Sequence, residues 1–178
     1  MIDLAVRHLD ALNDRFLDIW YDPGYQYYFG CRSRFMIYKD DLLDRNETYL
    51  THAFVSLHED NIIGFLSYHI DTSIGLAYDF GLINFDKNDA TKKVIFSKDI
   101  YIILRNIFTK FHANTIEFKV HMGNPIERSY DRICKNLGGE IVGVLHNRAI
   151  SMNGKMLDTK IYEITREQFE ARCKKGED

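Results

Sequence analysis

The stretch that decides the fold runs from Thr115 to Glu163 and reads TIEFKVHMGNPIERSYDRICKNLGGEIVGVLHNRAISMNGKMLDTKIYE. Its pattern predicts a strand that stops at the Gly-Asn-Pro of 123–125, then a helix, then two strands joined by an Asn153-Gly154 turn. A strand that stops there and turns directly into a helix leaves its end open. Polar groups at this break can meet a ligand instead of a neighbouring strand, so the sequence indicates either a binding site or a simple turn.

The composition is that of one folded domain spanning residues 1–178. This length is sufficient for one hydrophobic core. An apolar content of 46% with 28% charged residues is typical of soluble globular proteins, and the formal net charge of -3 provides no basic field for nucleic acid or an anionic membrane. Because no apolar run approaches the roughly 18 to 20 residues that span a bilayer, we expect no membrane association.

The cysteines and histidines argue against disulfide and metal sites. Cys31, Cys134 and Cys173 are odd in number and form no C-x-x-C pair, which indicates a reducing compartment and no structural zinc. The seven histidines are scattered without an H-E-x-x-H motif, so we expect no metal. The first residues lack a basic region followed by an apolar run, which predicts no signal peptide and a cytoplasmic protein.

Hydrophobic periodicity predicts the remaining elements. The clearest signal is the apolar face of one helix, for which Ser97 is the expected N-cap and residues 86–94 the preceding loop. That face consists of Ile100, Ile103, Leu104, Ile107, Phe108 and Phe111. The predicted helices span 9–21, about 35–49, 100–111, 126–137 and 167–174. The predicted strands span 51–57, 62–70, 74–85, 115–120, 140–150 and 156–164.

The order of these elements predicts an α/β fold with a mixed sheet. The strand-helix-strand unit over 74–120 needs a crossover connection, so its two strands should run parallel. The strands on either side form hairpins and should be antiparallel. We therefore expect a mostly antiparallel sheet with one central parallel pair and helices on both faces.

This order resembles that of the GNAT superfamily of acyl-CoA-dependent N-acetyltransferases, over about Val6 to Phe169. Local features add to the resemblance: a loop before the best helix, Asn124 after the next strand, Tyr130 on the following helix, and a glycine before the next strand. The resemblance implies acetyl-CoA as co-substrate, direct transfer of its acetyl group to an unidentified amine, and a central parallel pair that splays apart at a cofactor slot.

The resemblance also implies which residues bind the cofactor. The pantetheine arm would pair with backbone groups near Asn124, and the pyrophosphate would lie at the N-terminus of the helix beginning near Ser97. The superfamily usually has Arg/Gln-x-x-Gly-x-Gly/Ala there. The aligned residues 93–98 are Lys-Val-Ile-Phe-Ser-Lys, which keep the basic first residue but lack the glycines. The predicted cofactor residues are Asn124, Lys93, Phe96, Ser97 and Lys98.

Two catalytic roles follow from the same resemblance. Tyr130 and Cys134 lie at i and i+4, so either could face the cofactor sulfur, and Tyr130 is favoured because a phenol can protonate a leaving thiolate. A base is also needed to remove a proton from the amine. Asp79, within an otherwise apolar strand, is the best candidate, with Glu117 and His121 as alternatives.

A different class of function fits the same fold. The missing glycines also suit a non-catalytic binding or protein-interaction module, since fold does not dictate function. The aromatic-rich residues 20–29 would then form a contact surface, rather than a packing seam or a pocket wall. Bulky side chains filling the slot between strands ending near Phe85 and His121 would favour the module. The sequence leaves open whether the chain is a monomer or a homodimer.

Overall fold

The computed structural model describes residues 1–20, 22–27, 36–39 and 49–174. The predicted helix over 35–49 lies mostly outside these ranges, as does part of the aromatic-rich segment 20–29. The other predicted strands and helices are found with ends shifted by no more than two residues, except for the helix predicted over 100–111.

A single mixed sheet organises the described part of the chain. Its seven strands lie in the order β1-β2-β3-β4-β5-β7-β6, and all neighbours are antiparallel except β4 and β5. The strands are β1 (Ile2–Leu4), β2 (Tyr49–His58), β3 (Asn61–Asp71), β4 (Leu76–Asn84), β5 (Thr115–His121), β6 (Glu140–Ile150) and β7 (Met156–Thr165). The helices are α1 (Leu9–Trp20), α2 (Ala90–Thr109), α3 (Glu127–Asn136) and α4 (Arg166–Lys174), with short 3-10 turns at Ala5–Arg7 and Pro23–Tyr25.

Helices cover both faces of the sheet, as predicted. The apolar face of α2 packs with α3 and α4 on one side, where Leu66 of β3 and Phe118 of β5 are buried. On the other side α1 buries Phe16, whose ring stands edge-on to Phe65 and Phe85 at 5.4 Å in each case. Alternate residues of one strand therefore contribute to two separate cores.

The parallel pair separates almost as soon as it forms. β4 and β5 are in register only at Leu76 with Thr115 and at Ala77 with Ile116, although both strands continue well beyond these pairs. A bulge at 79–80 lies opposite the single residue Tyr68 of β3. A bulge bends its strand and increases its twist, which directs β4 away from β5. The predicted splayed pair is confirmed.

The predicted start of α2 at Ser97 is wrong. The N-cap is Asp89, eight residues earlier, and the helix begins at Ala90; the Asp89 carboxylate accepts the backbone N–H of Lys92 at 3.0 Å. The predicted loop over 86–94 is therefore wrong for its last five residues, 90–94, which belong to α2. The first turns of α2 are largely exposed, so they have no apolar periodicity that could mark them as helical.

Candidate active site

A cavity of about 1340 Å³ opens at the end of the sheet where β4 and β5 separate. Its walls are formed by residues from 82–84 of β4, 93–102 of α2, 124–136 at the break and in α3, 16–20 of α1, and 25–27. Next to the paired positions the Phe80 ring of β4 stands edge-on to the Phe118 ring of β5 at 6.1 Å, and the opening lies beyond these rings, between residues 82–84 and the break. Its position matches the site that the break at 123–125 predicts.

The break is built by local hydrogen bonds. Gly123 has a φ of +87°, a left-handed conformation that favours glycine, and its N–H donates to Glu127 Oε2 at 2.7 Å. Asn124 Oδ1 accepts the N–H of Ile126 at 3.1 Å, which sets the direction of the chain into α3. Asn124 thus lines the cavity, and its side-chain carbonyl is used in the turn.

Tyr130 lies at the cavity wall and Cys134 lies in the core. Tyr130 is 4% exposed and packs edge-on against Phe118 at 5.1 Å and Tyr162 at 6.1 Å. One turn later, Cys134 is buried with its Sγ 3.9 Å from the carbonyl oxygen of Glu163, and burial raises its pKa to about 11. Tyr130 lines the cavity and Cys134 does not, so the geometry favours Tyr130 over Cys134.

An ionic cluster holds the helix that carries Tyr130. Lys160 Nζ lies 2.6 Å from Glu127 Oε1 and 3.2 Å from Asp131 Oδ1, and the Tyr162 hydroxyl donates to Asp131 at 2.7 Å. The hydrogen bond from Lys160, with the N–H at the break, lowers the pKa of Glu127. Burial is the main reason that the pKa of Tyr162 is raised. These contacts fix α3 against β7 and so set the position of Tyr130.

The predicted phosphate residues lie inside α2 rather than before it. Lys93, Ser97 and Lys98 line the cavity through their side chains. Phe96 also borders the cavity, but its ring is buried against Gly64. A side chain at position 64 would collide with that ring. Because helix-interior amides already bond to carbonyls one turn back, the backbone at 96–98 cannot offer N–H groups to a pyrophosphate. The assignment of Lys93, Phe96, Ser97 and Lys98 to the phosphates therefore depends on side chains rather than on the backbone, and it stays a prediction.

Carboxylates occupy the N-terminus of α2. Asp89 caps it, and Asp86 lies 3.4 Å from Lys92 Nζ and 3.2 Å from an Arg15 guanidinium nitrogen. The backbone N–H groups at the start of α2 lower the pKa of Asp89, so this cap is charged at neutral pH. An anionic ligand would meet like charge at this helix end.

The cavity offers positive side chains instead. Lys87, Lys93, Lys98 and Arg132 line it, and the lining residues that the structure describes include no aspartate or glutamate. Arg132 was not predicted as a site residue. Arg132 lies three residues after Ser129 on the same face of α3, opposite the lysines of α2. This i, i+3 spacing after the break is the signal in the sequence that identifies Arg132 as a site residue.

The candidate bases lie outside the lining of this cavity. Asp79 is exposed on the bulge of β4, with a φ of +52°. Glu117 lies 2.9 Å from Lys119 Nζ. His121 Nδ1 is 2.7 Å from Thr159 Oγ1, and burial lowers the pKa of His121, so the ring is neutral at pH 7. The structure therefore brings together Asn124, Tyr130 and the α2 residues, but not Asp79.

Among the described residues, no group of three or more His, Cys, Asp or Glu side chains could hold a metal ion. Within the same ranges, no helix is long and apolar enough to cross a membrane.

Solved structures with a similar fold include three N-acetyltransferases. An N-acetyltransferase from Staphylococcus aureus Mu50 is 15% identical with a TM-score of 0.68, covering 93% of this chain and 98% of its own. The F149A mutant of spermidine N-acetyltransferase from Vibrio cholerae is 19% identical with a TM-score of 0.67, covering 97% and 99%. A ribosomal-protein-alanine N-acetyltransferase from Brucella melitensis is 14% identical with a TM-score of 0.65, covering 93% and 99%.

The chain has the GNAT fold. No family model and no curated protein matches its sequence, so the likeness lies in the structure. The splayed β4–β5 pair, the break at Asn124 and the helix that carries Tyr130 are the parts of this GNAT fold that form the cavity. Because one fold can serve several functions, the activity is argued below from the site itself.

Proposed function

We propose that this protein transfers an acetyl group from acetyl-CoA directly to an amine. The observation on which this rests is the open cavity at the splayed strands, which brings Asn124 and Tyr130 together with four positive side chains. A non-catalytic module would be favoured by a filled slot. The open cavity favours the enzyme.

The residues that line the cavity fit the parts of CoA, but they would bind its phosphates through side chains rather than through the backbone of a glycine-rich loop. Lys93, Lys98 and Arg132 would hold its phosphates by charge, replacing the backbone amides that a glycine-rich loop would supply. Two of these side chains come from α2 and the third from α3, so a phosphate between the helices would meet both walls. The Asn124 amide would bind the pantetheine arm, which is itself a chain of amides.

The reaction needs one acid and one base. The neutral amine attacks the thioester carbonyl, a C–N bond forms and the C–S bond breaks, and the leaving thiolate takes a proton from the Tyr130 hydroxyl. The proton lost by the amine goes to Asp79. Since Asp79 lies at the bulge and outside the cavity lining, the proton passes through water. Asp79 then releases its proton to solvent and the tyrosinate takes one from solvent, so the net products are the amide and free CoA.

Isothermal titration calorimetry with CoA and acetyl-CoA tests this proposal. We expect a Kd between about 1 μM and 1 mM that weakens as salt is added. Lys93→Ala should weaken binding, whereas Lys110→Ala, at the far end of α2 and outside the cavity, should not. Absence of binding at millimolar cofactor would refute the proposal.

A further inference from the structure

Exposed apolar side chains are concentrated on β6. The structure describes fourteen large hydrophobic residues that are exposed, and six of them lie on β6 or at the start of β7. Met156 of β7 is 45% exposed, and the five residues on β6 are 37–50% exposed. Those five are Ile141, Val142, Val144, Leu145 and Ile150. Single exposed apolar residues are ordinary, whereas a group of this size indicates a contact surface.

Both faces of β6 are open. Nine of its eleven residues are exposed, and since successive side chains of a strand point to opposite faces, neither face is buried. β6 ends the sheet, and β7 is the one strand in the described part of the chain that pairs with it. At the other edge, β1 has only three residues, which offers little for another strand to pair with. A long edge strand with exposed apolar side chains is a template for a further strand.

Two irregularities limit where a further strand can pair with β6. The register against β7 shifts at Val142 and again over 146–148, where Asn147 has a φ of +56°. Bulges bend a strand and blunt its edge, so the kink at Asn147 ends the part of the edge that can pair. The stretch available for pairing is therefore 140–145.

Within 140–145 two apolar side chains share one side of the sheet. Ile141 is opposite Tyr162 and Val144 is opposite Lys160 in the pairing with β7. The Tyr162 hydroxyl and the Lys160 ammonium both contact Asp131 of α3. Because paired residues point to the same face of a sheet, Ile141 and Val144 lie together on the α3 side.

The strand is complementary to a second copy of itself. Antiparallel pairing of 140–145 about a two-fold axis places Ile141 of each copy opposite Val144 of the other, so four aliphatic side chains meet on one face. Glu140 and Arg148 are both exposed, and the same pairing directs Glu140 of each copy towards the Arg148 end of the other. The exposed residues of β6 offer roughly 800 Å², which is what each partner buries in an interface of standard size.

We infer that β6 is the contact strand of a symmetric homodimer, in which two copies of this chain pair antiparallel over 140–145. The two seven-stranded sheets then form one continuous sheet. No residue of β6 lines the cavity, so the inference goes beyond the proposed acetyl transfer and does not depend on it.

Sedimentation equilibrium of the full chain at micromolar concentration tests the inference. The parent should sediment as a dimer, at twice the chain mass of 20.9 kDa. Val144→Glu places a carboxylate opposite Ile141 of the other copy, so the dissociation constant of the dimer should rise about 100-fold or more. Ile74→Glu is the matched control, since Ile74 is 59% exposed in the turn between β3 and β4 and its replacement should leave the dimer intact.

A double variant tests the pairing of the two positions. Ile141→Lys alone should weaken the dimer, as Val144→Glu does. The two substitutions combined place opposite charges at both paired positions, so the double variant should dimerise about tenfold more tightly than either single variant, and added salt should reduce this recovery. Circular dichroism spectra and thermal unfolding that match those of the parent confirm that each variant is folded.

The outcomes decide on the dimer separately from the proposed function. A parent that stays monomeric up to millimolar concentration would overturn the inference, as would a folded Val144→Glu variant that dimerises as tightly as Ile74→Glu. A double variant that dimerises no better than the single variants would overturn the antiparallel pairing over 140–145. None of these measurements uses CoA, so they leave acetyl transfer standing, and failure to bind CoA would leave the dimer standing.

Discussion

The two helical walls of the cavity, α3 and α2, are built in different ways. The α3 wall follows a glycine-containing break, where Asn124 lines the cavity together with Tyr130 of α3. The α2 wall starts with a carboxylate cap and presents Lys93 and Lys98 along its side. One wall can contact a ligand at its N-terminal turn, whereas the other can do so only through side chains.

The largest effect is expected at Tyr130. Tyr130→Phe removes the proposed acid while keeping the ring against Phe118, so kcat for acetyl transfer should fall by about 100-fold or more with the Kd of CoA nearly unchanged. Steady-state kinetics with calorimetry measures both quantities. Cys134→Ala, one turn along the same helix, is the control and should retain kcat. Loss of kcat in the cysteine variant alone would reverse the assignment.

A smaller effect is expected on the Kd of CoA. It distinguishes phosphate binding by side chains from phosphate binding at the N-terminus of α2. Arg132→Ala should weaken CoA binding about tenfold, because a charged hydrogen-bond donor to phosphate is lost from the α3 wall. Asp89→Ser keeps a capping oxygen on α2 but removes its charge. If side chains hold the phosphates, the Kd of CoA in Asp89→Ser should stay within about twofold of the parent value. Markedly tighter binding in this variant would instead place the phosphate at the helix N-terminus.

The smallest effect concerns the stability of the α3 wall. Lys160→Met removes the ammonium between Glu127 and Asp131, and the free energy of unfolding in urea at neutral pH should fall by about 1 kcal/mol. Lys135→Met, on the exposed side of α3, is the matched control and should change little.

The same pair has a defined pH dependence. Because the folded-state pKa of Glu127 is lowered, its contribution is complete above the ordinary value of 4.5 and is lost as the pH falls through the lowered value. The difference in stability between the parent and Lys160→Met should therefore shrink below pH 4.5. A difference that stays constant down to pH 2 would show that Glu127 is not the partner that matters.

The contrast between the walls explains which parts of the site could be predicted. Gly123 and Pro125 mark the break through backbone preferences that act locally, so the sequence predicts α3 to within one residue at each end. The start of α2 is exposed and has no apolar period, and its cap at Asp89 lies within the polar stretch that predicts a loop. The prediction therefore failed where the local signal was a single capping residue.

Some features of the site have no local signal. The bulge that displaces Asp79 arises because two residues of β4 oppose Tyr68 of β3, a register mismatch between strands. The burial of Cys134 and the cavity position of Tyr130 are likewise set by how α3 lies on the sheet. Sequence spacing places both residues on one face of the helix and chemistry favours Tyr130, whereas packing shows which of the two lines the cavity.

The sequence by itself determined the order of the elements, the parallel crossover and the break at Asn124, because periodicity, chain connectivity and turn residues act over short distances. The tertiary structure alone decided that β4 and β5 separate after two paired positions, that four positive side chains converge on one cavity, and that Asp79 lies outside its lining. These depend on strand register and helix packing between segments far apart in the chain, which no local pattern encodes.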